Sequence, residues 1–139
     1  MTFTVARANR KTLPQQLVAL ARLPVTTDVT TKRGRLTWRG ELQPTPLSRT
    51  YALRLSYTGG SATPVVTVVR PQLRADDVRD LPHVWPRDEL CLCYPYQWNN
   101  GQLIAHTIIP WASEWLLHFE IFKATDRWHG GGHEPAVLR

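Results

Sequence analysis

The sequence contains only two cysteines among its 139 residues, and it lacks any long apolar run. A membrane-spanning helix needs roughly 18 consecutive apolar residues, and no segment approaches that length, so we expect no membrane span. The first residues also lack the apolar core of a secretory signal peptide. We therefore expect a cytoplasmic protein in a reducing compartment, where a disulfide between Cys91 and Cys93 is disfavoured.

The paired ligand motifs of a structural zinc site are also missing. Such sites combine CxxC or HxxxH elements at matched spacing, whereas Cys91 and Cys93 form the tighter pattern CxC. The segment HGGGH, from His129 to His133, places its histidines on glycines that fix neither side chain. We predict neither a metal site nor a cofactor.

Acidic residues are scarcer than basic ones, 11 against 17, and the net charge is +6. The basic residues are spread along the chain, with their densest run, KRGR, at residues 32–35. Spread charge is typical of a solvated surface, so a nucleic-acid partner is not expected. The net charge is the only feature that favours a nucleic-acid binder. An acidic protein partner is the other kind of partner that this charge would suit.

The residues that are present favour one globular domain spanning residues 1–139. A helix is predicted over residues 13–23, because Thr12 can cap it, Pro14 suits its first turn and Pro24 stops it. Alternating apolar residues predict strands in RLTWRGELQ and TYALRLSY. The β-branched run PVVTVVR predicts a strand covered on both sides. The result is an antiparallel meander of three or four strands.

Residues 71–95 hold four prolines and little periodicity, so they predict a long, cysteine-bearing loop of the kind that is often functional. After Trp98 the helical period returns, and GGG at residues 130–132 is expected to end the helix. This order predicts an α+β architecture. The apolar stripe of the helix is interpreted as core-facing and comprises Ile108, Trp111, Trp115, Phe119 and Phe122.

The residues alone leave two interpretations of the cysteines open. A cysteine on a loop, with a histidine nearby in sequence, is a candidate nucleophile. A free cysteine is more commonly a small buried hydrophobe. His83, eight residues before Cys91, can either lower a thiol pKa or be a loop histidine bonded to backbone.

The ordered motifs resemble those of ubiquitin-conjugating enzymes. In that family a histidine motif precedes the catalytic cysteine, a leucine follows it, and a tryptophan opens the next helix some seven residues later. The counterparts here are His83 in PHVWP, Leu92 after Cys91, and Trp98, which we expect to be a packing anchor at the helix start rather than a catalytic group. The family also has a Tyr-Pro…Pro-Pro-x-Val flank at the end of a strand, and its looser counterpart is Tyr57 with Pro64 and Val65. The resemblance implies a ubiquitin-conjugating-enzyme-like fold with an N-terminal helix, a meander sheet, a cysteine-bearing loop and a long helix. The C-terminal helices of eukaryotic members have no counterpart beyond about Trp128.

The sequence is similar, more closely, to the short members of this fold encoded in bacterial CBASS antiphage operons. The matching segments are LCLC, Trp98, IIPWASEWLLHFE and WHGGGHEP. This resemblance implies that Cys91 forms a thioester with the C-terminus of a cGAS-like nucleotidyltransferase and conjugates it to an acceptor. Cys93 replaces a tyrosine of these proteins.

One family residue is absent. The asparagine that supports the oxyanion intermediate is replaced by Val84 and Trp85, so His83, Asn99, Asn100 or a backbone N–H must serve instead. No adenylation module is recognisable, so we expect the protein to receive the acyl group from a partner or to act on an already reactive one. The missing asparagine also leaves open a catalytically inactive adaptor that binds the nucleotidyltransferase, and a homo-oligomer is a further possibility.

Overall fold

The computed structural model describes residues 9–73, 84–85, 89–93 and 97–128. Helix α1 (Leu13–Ala21) precedes four strands, which are β1 (Thr26–Lys32), β2 (Arg35–Leu42), β3 (Tyr51–Tyr57) and β4 (Val65–Arg70). Two short strands follow, β5 (Val84–Trp85) and β6 (Glu89–Leu90), and then a 3-10 helix (Ile104–His106) and helix α2 (Ile108–Thr125). The predicted α+β architecture is confirmed.

The six strands form one antiparallel sheet in the order β1-β2-β3-β4-β6-β5. The predicted meander is confirmed and is extended at both ends. Strand β1 was not recognised in the sequence because its residues, TTDVTTK, are mostly polar and exposed at the sheet edge. The expectation of a continuous loop over residues 71–95 is wrong at β5 and β6, which add to the opposite edge.

Strands β2 and β3 alternate as their sequences predict. Leu36, Trp38 and Leu42 of β2 are buried, as are the alternate residues of β3 from Tyr51 to Tyr57. The prediction that β4 is covered on both sides is wrong, because Val65 and Val69 are 39% and 51% exposed. Val65 and Val69 lie on the outward face of the sheet. In the described part of the chain, the helices pack on the other face, where the buried residues of the strands form one core.

Helix α1 begins as predicted and ends two residues early. Thr12 and Gln15 form a reciprocal capping box, in which each side chain accepts a hydrogen bond from the other residue's backbone N–H. The helix ends at Ala21, where the Leu20 carbonyl accepts a hydrogen bond of 2.6 Å from the Thr26 hydroxyl. The Trp38 indole N–H donates to the same hydroxyl at 2.7 Å. This chain of bonds ties the helix end to the sheet.

Helix α2 packs its buried stripe against the sheet. The ring of Phe119 meets Tyr51 edge-on at 6.5 Å, and the Tyr51 and Ser48 hydroxyls donate to the two carboxylate oxygens of Glu120. The helix ends at Thr125, before the predicted GGG, because Asp126 adopts a left-handed conformation with φ of 59°. Among the described residues, no helix has the length and apolar character that crossing a bilayer requires.

Candidate active site

Cys91 lies immediately after β6, where the chain leaves the sheet, and lines a pocket against one side of α2. The Cys91 side chain is only 4% exposed, and the pocket has a volume of about 270 Å³. A volume near the low end of the roughly 300–1,000 Å³ typical of ligand pockets suits one large side chain or a short peptide end. The described residues that line it are Cys91, Leu92, Gln97, Trp111, Glu114, Trp115, His118 and Trp128.

Four of these residues come from a single side of α2. Trp111, Glu114, Trp115 and His118 recur at the i, i+3, i+4, i+7 spacing that aligns side chains along a helix. Trp128 then folds back over the helix, with its ring centroid 5.4 Å from that of Trp115 and 5.8 Å from that of His118. The left-handed Asp126 makes this return possible, because it turns the chain out of the helix direction. The pocket is therefore largely aromatic.

The two cysteines differ in their surroundings. Both are thiols, Cys91 buried and Cys93 half-buried. Burial raises the pKa of the Cys93 thiol above its ordinary value. The described residues that line the pocket include Cys91 but not Cys93. An extended LCLC segment would present both thiols on one face, but the described strand ends at Leu90, before either cysteine.

Glu114 and His118 contact each other within the pocket. His118 Nε2 lies 3.5 Å from Glu114 Oε1, and the two side chains are 21% and 67% exposed. Among the described atoms, none forms a hydrogen bond with the buried His118 Nδ1. Sequence reasoning missed this pair because it considered only the apolar stripe of the helix, which was interpreted as core-facing, and not the polar residues between. The i, i+4 spacing of a glutamate and a histidine beside two tryptophans was the available signal.

The other predicted site residues are distributed differently. His83 lies outside the described residues. The Asn99 side-chain oxygen accepts a hydrogen bond of 2.9 Å from the Gly101 N–H, and the Asn100 amide donates to the Gly60 carbonyl at 2.9 Å. Among the described residues that line the Cys91 pocket, neither asparagine appears. Their observed bonds order a turn, and their roles in catalysis stay predictions.

Trp98 is a packing anchor, as predicted. Its side chain is 4% exposed, and its indole N–H donates to the Thr107 hydroxyl at 3.1 Å. Its ring meets Tyr57 edge-on at 5.5 Å. Because Thr107 directly precedes α2, Trp98 fixes the segment after the cysteines to both the sheet and the start of the helix.

Metal binding has no support in the described ranges, where no three histidine, cysteine, aspartate or glutamate side chains converge closely enough to hold an ion. His129 and His133 of HGGGH lie outside those ranges. The chemistry that the pocket offers is that of a thiol, an imidazole and a carboxylate among aromatic rings. These are the groups of cysteine-based nucleophilic catalysis.

No curated protein matches the chain. The model of a family described as type II CBASS E2 protein matches residues 16–135, a span that holds β1 to α2, the Cys91 segment and the pocket. The chain therefore belongs to the type II CBASS E2 family and has a role in CBASS antiphage defence.

Proposed function

We propose that the protein is a ubiquitin-conjugating-enzyme-like acyltransferase. In this proposal Cys91 carries, as a thioester, the C-terminal acyl group of the cGAS-like nucleotidyltransferase of its system and transfers it to an acceptor. The observation that carries the proposal is the position of Cys91, which lines an aromatic pocket in a CBASS E2 protein. The order of α1, meander, cysteine segment and α2 supports a ubiquitin-conjugating-like fold acting as one domain over residues 1–139.

The reaction has two acyl-transfer steps. The Cys91 sulfur attacks the carbonyl carbon of an activated donor, such as an acyl adenylate or a partner's thioester, and the leaving group departs as the C–S bond forms. An acceptor amine then attacks the thioester carbonyl, the C–N bond forms, and the sulfur leaves as thiol after proton transfer. A thiolate is a good nucleophile and a good leaving group, so both steps suit a cysteine.

The pocket supports this chemistry through its shape. Rings of Trp111, Trp115 and Trp128 line the space beside the thiol. An oxyanion also needs a hydrogen-bond donor. His83, Asn99 and Asn100 remain the candidate donors, since Val84 and Trp85 take the place of the family asparagine.

The test is to incubate the protein with its nucleotidyltransferase partner and an activating system, and to identify the adduct by gel and mass spectrometry. The wild-type adduct should disappear under reducing conditions, because thiols cleave thioesters. Cys91→Ser should give an oxyester that survives them, and Cys93→Ser should behave as wild type. Removing the last residues of the nucleotidyltransferase should prevent every adduct.

The alternative function is an inactive adaptor that binds the nucleotidyltransferase without chemistry. The replacement of the family asparagine by Val84 and Trp85 favours it. Stable association of the two proteins, with no added mass at Cys91 under any condition, would establish the adaptor and exclude the acyltransferase.

A further inference from the structure

We propose that His118 is the proton acceptor that activates Cys91, and that Glu114 is the residue that positions its imidazole. The proposal extends the function proposed above. It rests on that function only for the reaction of the sulfur after its activation. It is carried by the shared pocket, by the contact between Glu114 and His118, and by the unpartnered ring nitrogen.

The pocket places the three groups around one small space. Cys91 comes from the segment after β6, whereas Glu114 and His118 come from successive turns of α2. A volume of about 270 Å³ holds several waters at about 30 Å³ each. A base acts on a proton at hydrogen-bond distance, and the three side chains border one space small enough for a side-chain rotation to bring Cys91 and His118 together.

The contact with Glu114 selects the form of the imidazole. A carboxylate 3.5 Å from Nε2 favours the tautomer that carries the ring proton on that nitrogen, which makes Nδ1 the acceptor in this proposal. Nδ1 is buried, and no hydrogen-bond partner for it exists among the described atoms. Buried polar atoms are nearly always hydrogen-bonded, and a catalytic role is one explanation of an exception. A thiol proton is the partner that this nitrogen would take.

The proposed step conserves atoms and charge. The proton of the Cys91 S–H passes to His118 Nδ1 once a side-chain rotation brings the two atoms within hydrogen-bond distance, and it leaves a thiolate beside an imidazolium. The Glu114 carboxylate stabilises the imidazolium. A thiol in apolar surroundings is a poor nucleophile unless a nearby cation stabilises its thiolate. The step is a proton transfer, with no change of oxidation state.

Few other charged groups compete for this role. Of the described residues that line the pocket, the titratable ones are Cys91, Glu114 and His118. The same two elements also carry four titratable side chains that do not line the pocket, namely Glu89, Cys93, Glu120 and Lys123. Glu120 accepts hydrogen bonds from Ser48 and Tyr51, and Lys123 lies over the Phe119 ring.

The test is the pH dependence of Cys91 alkylation by iodoacetamide, followed by mass spectrometry in a Cys93→Ser background. This reaction needs no nucleotidyltransferase. His118→Gln should move the midpoint of the rate profile to higher pH and slow alkylation near neutral pH by about tenfold or more, the equivalent of one pKa unit. Glu114→Gln should move it less, in the same direction. His106→Gln, at an exposed histidine that does not line the pocket, should leave it unchanged.

Superimposable profiles for the parent protein and a folded His118→Gln variant would overturn the proposal. If His118→Gln does not fold, the decision falls on Glu114→Gln, whose side chain is 67% exposed. An unchanged Glu114→Gln profile then overturns it. Failure of the proposed function would give a different result. The alkylation profile would still shift in His118→Gln, but no thioester would form with the nucleotidyltransferase.

Discussion

At the scale of single residues, the two cysteines are separated by one leucine but occupy different environments. Cys91 faces the aromatic pocket, whereas Cys93 is half-buried beside the core. Burial disfavours the charged thiolate of Cys93, and its pKa is raised for that reason. Only a small fraction of Cys93 is therefore reactive at neutral pH, which makes it a poor substitute for the neighbouring cysteine.

This difference predicts the reactivity of Cys93 in a Cys91→Ser variant. The rate of iodoacetamide alkylation should rise with pH, with a midpoint above that of the same variant unfolded in urea. The sign follows from the raised pKa, because a group with a raised pKa stays protonated to higher pH. A midpoint equal to or below the unfolded value would contradict the effect of burial.

His83 carries a second prediction at this scale. If it holds the thiolate or the oxyanion, His83→Ala should slow acyl transfer by roughly 10²–10³-fold. The midpoint of thermal unfolding should hardly change if His83 lies in a loop, as the sequence predicts, because a loop histidine contributes little to a core. Single-turnover transfer kinetics measure the first quantity, and circular dichroism measures the second. Unchanged kinetics would assign the oxyanion role to Asn99 or Asn100 instead.

Some residue roles could be predicted from sequence and others could not. The cap at Thr12 and the anchor at Trp98 follow from local motifs, and both are observed. The approach of Glu114 and His118 to the Cys91 segment depends on how α2 packs across the sheet. Periodicity predicts which residues of a helix share a side, but it does not say which distant segment that side meets.

At the scale of elements, β2 contains a glycine that its packing requires. A Cβ on Gly40 would lie 2.3 Å from the Trp38 ring and 2.6 Å from the Val25 carbonyl oxygen. The Trp38 ring has little room to move, since its indole N–H is bonded to Thr26 and its side chain is fully buried. The segment before β1 can therefore approach β2 this closely only because residue 40 has no side chain.

Gly40→Ala should consequently lower the free energy of unfolding by about 1–3 kcal/mol, the usual cost of overpacking. Urea denaturation measures the change. Thr37→Val, on the outward side of the same strand, keeps the β-branched shape and should change stability by no more than about 0.5 kcal/mol. Equal stability of Gly40→Ala and the parent would mean that the tryptophan ring can move aside.

The elements that sequence predicted best are those with their own apolar pattern. Strands β2 and β3 alternate between buried and outward residues, so their period shows in the sequence. Strand β1 is polar, and β5 and β6 have two residues each. These three are held by pairing with neighbouring strands. Backbone pairing of this kind leaves little trace in the side chains, and local patterns do not detect it.

At the scale of the whole molecule, positive charge collects on the outward face of the sheet. Thr30, Lys32, Arg33, Arg35, Thr37 and Arg39 line a shallow groove on β1 and β2. Arg39 lies directly opposite Arg54 of β3, and Asp28 contacts Arg39 at 3.9 Å. Like charges opposite each other on neighbouring strands repel. The chain therefore tolerates an unfavourable pair on an exposed face.

Arg54→Thr should stabilise the protein at low salt by about 0.2–1 kcal/mol, because it removes the repulsion and introduces a residue that favours strands. Added salt screens exposed charges, so the gain should shrink as ionic strength rises. Urea denaturation at low and high salt measures it. Arg49→Thr, in the exposed loop before β3, changes the net charge equally and should show no comparable gain. A similar gain from both variants would assign the effect to net charge.

Gln16 links the beginning of the protein to a much later part, and this affects how the chain can fold as it is synthesised. Its fully buried side-chain amide donates to the Gln102 carbonyl, 86 residues away, and its oxygen accepts from the Ile104 N–H, 88 residues away. A ribosome makes α1 first, yet the helix cannot complete its packing until Ile104 has emerged. A nascent chain that stops before Gln102 must leave this amide hydrated and the packing of the helix incomplete.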